Sequence, residues 1–107
     1  MKPSKKRKLQ RAGFKVGTVQ EFLGLSNEEM ALIELKVRLV DMLREVRRSR
    51  GMRQQDLADL LESSQSRVAK MEAGDPDVSL DLIFRALFSL GVSRQELGKL
   101  IGSKRAA

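Results

Sequence analysis

A chain of 107 residues with 21 Lys plus Arg against 14 Asp plus Glu, net charge +7, has room for one domain and a tail. Its 41% hydrophobic content supports a small core and is too high for a fully disordered chain. With no His, Cys, Trp or Tyr and four Phe, it offers no imidazole, thiol or His/Cys metal chemistry and few rings for stacking single-stranded nucleic acid. No apolar run approaches the ~18 residues of a membrane span, and the basic N-terminus has no apolar stretch behind it, as a signal peptide would. A soluble, cytoplasmic protein is expected.

Residues 1–15 hold Lys2, Lys5, Lys6, Arg7, Lys8, Arg11 and Lys15 and no acid, so the entire net charge lies there and residues 16–107 balance. With Pro3, Ser4 and Gly13 among them they cannot bury enough surface to fold alone, and they read as a basic disordered arm. A solvated tail and an arm that neutralises phosphates both fit; a nuclear address at Lys5-Lys6-Arg7-Lys8 is a weaker third reading. Thr18 with Glu21 fits a capping box and predicts a short helix near 19–23, stopped at Gly24. Ser26 with Glu29 repeats the device, with Leu25 and Met30 as its staple, and the next stop is Gly51, which predicts a helix of ~23 residues. Leu32, Leu35, Leu39, Leu43 and Val46 recur at helical spacing and read as core; Leu32, Leu35, Leu39, Met42 and Val46 also fit a short dimer seam.

After Gly51 the helices shorten. Gln54 to Glu62 carries Leu57, Ala58, Leu60 and Leu61; Ser64 caps a segment to about Glu72; residues 73–77 form a turn. Ser79 caps Leu80 to Leu90, Gly91 ends it, and Ser93 with Glu96 caps the last helix, stapled by Val92 and Leu97. No stretch alternates like a strand, so the chain reads as all-α.

The stretch from Arg50 to Gly91 carries the functional signal. A helix-turn-helix needs a small residue where its helices cross, and Ala58 supplies it. It needs apolar residues facing inward, and Leu57, Leu61, Val68 and Met71 supply those. It needs polar and basic residues on the outward start of the second helix to reach base edges in the major groove, and Gln65, Ser66, Arg67 and Lys70 supply those. Leu57 and Val68 stand 11 residues apart, which suits a helix, a short turn and a helix. The plain alternative is that these polar residues form a solvated face, Arg67 and Lys70 with Asp59 and Glu62.

Met52-Arg53-Gln54-Gln55-Asp56-Leu57-Ala58, Ser64-Gln65-Ser66-Arg67-Val68, Met71-Glu72-Ala73-Gly74 and Ser79-Leu80-Asp81 together resemble the Xre family, the Cro/CI-type helix-turn-helix regulators. The resemblance implies a compact lambda-repressor-like bundle of about five helices over residues 36–103, acting as a homodimer on a near-palindromic double-stranded DNA operator as a transcriptional repressor. It places Gln54 at the backbone of the DNA, Gln65, Ser66, Arg67 and Lys70 in the groove, and Ser64 as cap and phosphate contact. It also matches Arg47 and Glu72 to a buried ion pair. Arg53 stands where the family usually has Ser or Thr, so a hydroxyl cap is lost and a phosphate-binding charge gained. Glu62 stands where Gly is common, at a cost of about 1 kcal/mol if the site needs a positive φ. Asp56, Asp59 and Glu62 are expected to point away from DNA.

Residues 16–35 read as an N-terminal helical extension. With Phe14, Val16, Val19, Phe22, Leu23 and Leu25 they need an apolar home. The layout is similar to that of HigA-type antitoxins, which implies a RelE-like toxin covered by residues 14–35 and an autorepressed toxin–antitoxin operon; a dimer-forming or core-covering extension fits equally. A non-specific DNA-binding adaptor or protein-interaction module, using the arm and the extension, is the alternative function. No catalysis and no cofactor or metal is expected, because neither a paired acid nor a phosphate-cradling Gly loop is present.

Overall fold

The computed structural model describes residues 16–103, with side chains from Gln20 onward. These residues form six helices and no strand: α1 Val16–Leu23, α2 Asn27–Ser49, α3 Gln54–Leu60, α4 Gln65–Glu72, α5 Leu80–Ser89 and α6 Arg94–Gly102. The expected basic arm and Phe14 lie outside the described residues. No described helix is long and apolar enough to cross a membrane. The described residues divide into two compact units, with the boundary between Glu34 and Leu35.

In the first unit α1 begins at Val16, so Thr18 lies inside the helix and does not cap it, contrary to the expected start. A helix of about five residues closes almost no i to i+4 bonds against the cost of nucleation, and the earlier start adds them. Gln20 Nε2 donates to the Leu25 carbonyl at 3.1 Å and to Asn27 Oδ1 at 2.8 Å, tying the end of α1 to the start of α2. The expected box at Ser26 forms in both directions: the Glu29 amide donates to Ser26 Oγ at 3.1 Å and the Ser26 amide to Glu29 Oε1 at 3.0 Å. The Ser26 amide, helped by its hydroxyl, holds the Glu29 carboxyl below its ordinary pKa. Phe22, Leu23, Leu32 and Ile33 are exposed.

In the second unit Leu39, Val40 and Leu43 of α2 meet Leu57 and Ala58 of α3, Val68 and Met71 of α4, and Ile83, Ala86 and Leu87 of α5. Leu90, Val92 and Leu97 close the end beside α6. The α2 stripe holds at Leu39 and Leu43 and fails at Leu32, which is 45% exposed. Leu39 is fully buried and Leu35, Met42 and Val46 pack on the same core, so four of the five residues of the alternative dimer seam are engaged within the chain and Leu32 is not. Leu61, expected inside, is only half-buried at the core edge, and Leu60 is 50% exposed. Ala58 has no exposed surface, so a larger side chain there would force its neighbours off their rotamers. Lys36 Nζ reaches the Val78 carbonyl at 3.0 Å, and the Arg38 guanidinium holds the carbonyl and hydroxyl of Ser103 beyond α6.

The expected hydroxyl caps form at Ser64, Ser79 and Ser93, whose Oγ atoms accept from the amides of Arg67, Leu82 and Glu96. At the other ends, α1 to α5 share one hydrogen-bond pattern, in which the residue two past the last turn donates back across it: Leu25 to Gln20, Met52 to Arg47, Ser63 to Ala58, Asp75 to Lys70 and Val92 to Leu87. The pattern needs a left-handed residue. Gly24, Gly51, Gly74 and Gly91 supply it in four helices, and Glu62, at φ 54°, supplies it in α3. The left-handed conformation costs a residue with a Cβ about 1–2 kcal/mol, partly offset by the greater chain entropy that Gly loses on folding. Glu62→Gly is therefore expected to stabilise the chain by about 0.5–1 kcal/mol, a rise of a few degrees in calorimetric Tm. An unchanged or lower Tm would mean that the Glu62 side chain contributes more than its backbone costs.

Candidate nucleic-acid interface

The helices α3 and α4 pack on one another across residues 61–64. Leu57, Ala58 and Val68 are fully buried between them and the core, and Met71 is 1% exposed. These contacts fix which way α4 turns. At about 100° per residue, Val68, Met71 and Glu72 face inward, and Ser66, Arg67 and Lys70 occupy the opposite sector. Gln65 lies at the border, against α3.

A buried ion pair fastens this border. Arg47 Nε meets Glu72 Oε2 at 2.6 Å and Arg47 Nη2 meets Glu72 Oε1 at 2.8 Å, with the two residues 7% and 4% exposed. Arg47 Nη1 also donates to the Met52 carbonyl at 2.7 Å, which holds the chain entering α3. The hydrogen bonds to Glu72 hold the Arg47 guanidinium above its ordinary pKa, against the pull of burial. Arg47 continues the inward stripe of Leu39 and Leu43, so its charge is spent inside the domain, whereas Arg48 and Arg50 beside it are exposed.

The pair then organises two glutamines. Gln54 Nε2 donates to Glu72 Oε1 at 3.2 Å, and Gln65 Nε2 donates to Gln54 Oε1 at 2.7 Å. The carboxylate can only accept, so it sets which end of the Gln54 amide faces it, and Gln54 in turn sets Gln65. Gln65 is left with its Oε1 and one N–H free to act outward. The Arg47–Glu72 pair is the one the resemblance implies; that Gln54 and Gln65 extend it into one chain of bonds appears only when α2, α3 and α4 are assembled.

The outer residues differ in how free they are. Among the described residues no carboxylate pairs with Arg67 or Lys70, and both are exposed. Asp59 accepts instead from Gln55 Nε2 at 2.8 Å. Ser64 Oγ lies 3.2 Å from Ser66 Oγ. Arg53 is the exception. Its amide donates to Asp56 Oδ2 at 2.7 Å and its Nη2 to Asp56 Oδ1 at 3.0 Å, and its side chain is 79% exposed. Asp56 thus satisfies the free amide that opens α3, and it lies beside Arg53. The guanidinium hydrogen bonds hold the Asp56 carboxyl below its ordinary pKa, with the Arg53 amide adding to them.

Asp56 and Glu29 are both depressed in the folded chain, so each favours folding above its ordinary value, 3.8 and 4.5, and loses that contribution as acid protonates the folded form. The Tm is expected to fall from pH 5 towards pH 3, more steeply in the parent than in an Asp56→Asn, Glu29→Gln double variant. Circular-dichroism melts across that range check it; parallel profiles would contradict the assignment.

The arrangement is two packed helices with the second presenting fixed polar groups and unpaired cations outward. A helix-turn-helix family model matches residues 43–97, just over half of the chain, running from the last turns of α2 into α6. No curated protein and no solved structure gives a significant match. The match spans the buried pair, both glutamines and the outward face of α4, and the chain belongs to the Cro/CI-type (Xre) helix-turn-helix family of DNA-binding transcription regulators.

Proposed function

We propose that the chain is a sequence-specific repressor that binds a near-palindromic operator as a homodimer, with α4 in the major groove. The observation that carries this reading is the outward face of α4: Gln65 is held by the chain of bonds from Glu72, while Arg67 and Lys70 stand unpaired beside Ser66. The free Oε1 and N–H of Gln65 match the N6 and N7 of adenine, and the Arg67 guanidinium matches O6 and N7 of guanine. Ser66 contacts an adjacent base edge and Lys70 a base edge or phosphate. Ser64 and Arg53 contact phosphates on either side, Arg53 shared between the DNA and Asp56. Gln54 supports Gln65 and uses its remaining N–H on the backbone. Outside residues 1–15 the sequence is electrically balanced, so affinity depends on this local face and on the arm.

A hydroxyl-radical footprint of the full chain on the DNA upstream of its own gene tests the reading. Two protected half-sites about 10 base pairs apart, centre to centre, are expected. A single protected half-site would overturn the dimer, and uniform protection along the fragment would overturn sequence reading.

A further inference from the structure

We infer that Asp56 restrains Arg53, so that the chain grips the phosphate backbone less tightly than its basic residues allow; this rests on the proposed phosphate contact of Arg53 and names what limits it. Arg53 precedes Gln54, whose Oε1 accepts from Gln65 Nε2 at 2.7 Å on the border of the outward face of α4. Arg53 thus stands one residue from that border, with its side chain 79% exposed. On the face itself Arg67 and Lys70 pair with no carboxylate among the described residues. Arg53 differs. Its Nη2 donates to Asp56 Oδ1 at 3.0 Å and its Nε to Asp56 Oδ2 at 3.3 Å, so one whole edge of the guanidinium is taken. The carboxylate is fixed in its turn by the Arg53 amide, which donates to Oδ2 at 2.7 Å. The hydrogen bonds and the charge of Asp56 hold the Arg53 guanidinium above its ordinary pKa, with a smaller contribution from Asp59. Asp59 is itself held by Gln55 Nε2.

A guanidinium offers an anion a pair of parallel N–H bonds along its side or at its end. Asp56 occupies the side, Nε with Nη2. A phosphate that uses the end, Nη1 with Nη2, meets a cation already partly neutralised, with a carboxylate close behind it. A phosphate that displaces Asp56 must replace both hydrogen bonds. By either route the contact yields less than a free arginine gives. An exposed ion pair at this spacing is weak, so the restraint is graded and not a lock. Every DNA sequence offers the same phosphates, so the restraint acts on all sequences alike and leaves the choice of base to Gln65 and Arg67. It lowers non-specific affinity in a chain whose first 15 residues already carry a charge of +7.

Fluorescence-anisotropy titrations of the full chain across a series of salt concentrations test the restraint, on the DNA upstream of its own gene and on a scrambled duplex. Asp56→Asn removes the charge and keeps an acceptor for the Arg53 amide, so the variant is expected to fold, and thermal melts check it. It should tighten binding to both duplexes by about twofold to fivefold per bound subunit. It should also steepen the salt dependence by about 0.9 per subunit, as one more phosphate is fully neutralised. In an Arg53→Ala background the same substitution should gain less than about 1.5-fold, because no guanidinium remains to be released. Asp59→Asn should gain less than Asp56→Asn. An Asp56→Asn chain that binds no tighter than the parent would overturn the restraint. So would a gain that persists without Arg53 or is matched by Asp59→Asn, because the carboxylates would then act on DNA by general repulsion. Unchanged affinity in Arg53→Ala alone would overturn the phosphate contact and the restraint together. Equal affinity of the parent for the two duplexes would overturn sequence reading only, since the restraint is measured on either.

Discussion

Glu72→Ala is expected to lower the stability of the chain by about 3–5 kcal/mol. That is a large part of the about 4–10 kcal/mol available to a domain of this size. The reason is what it leaves behind. The Arg47 guanidinium is 7% exposed and continues the stripe of Leu39 and Leu43, so without Glu72 it remains charged among buried side chains with only the Met52 carbonyl as partner. Arginine cannot shed its proton to escape the cost. Glu72→Gln keeps the shape and one acceptor and should cost less. Urea denaturation of the parent and both variants measures the effect; a loss below ~1 kcal/mol in Glu72→Ala would show the pair to be solvated in solution. The same substitution frees Gln54, so, on the proposed reading, any Glu72→Ala protein that remains folded should discriminate less among bases at the position assigned to Gln65.

Arg67→Ala is expected to cost about 1–3 kcal/mol of binding to the preferred DNA, a factor of roughly 5–150, and to relax preference at one or two base pairs. Its fold should be unaffected, because the side chain is exposed and, among the described residues, pairs with no carboxylate. Lys70→Ala provides the contrast. If its ammonium meets phosphate, affinity falls across all sequences alike and the salt dependence shallows by about one unit. Competition titrations with single-base variants of the site distinguish the two. An Arg67→Ala protein that loses affinity equally on every sequence would assign Arg67 to the backbone.

Local chemistry made much of the fold legible. Ser26, Ser64, Ser79 and Ser93 mark their helix starts because a hydroxyl cap is a contact over two or three residues, and Gly24, Gly51 and Gly91 mark stops for the same reason. Thr18 misled, since a capping pattern says nothing of whether the chain before it also coils. The positive φ of Glu62 was legible only through the resemblance, by the glycine it replaces. Periodicity put Leu57, Val68 and Met71 inside correctly but overrated Leu61 and Leu32, which sit where a stripe leaves the core. The spacing of Asp56 from Arg53 was visible without its consequence, because an exposed arginine at a helix start has several rotamers and the sequence does not say which one a carboxylate three residues on will hold. The links from Glu72 to Gln54 and from Gln54 to Gln65 join residues 18 and 11 positions apart, and no local rule reaches across them.

The most direct measurement is a binding titration of the full chain on the DNA upstream of its own gene against a scrambled fragment of equal length, at two salt concentrations. A preference of ~10³ or more that persists as salt lowers both affinities is the expected result, because the proposed reading assigns discrimination to base contacts from α4 and the salt dependence to phosphate contacts. Equal affinity for the two fragments at both salts would contradict the account, and would leave the basic residues as the source of binding and α4 as a scaffold.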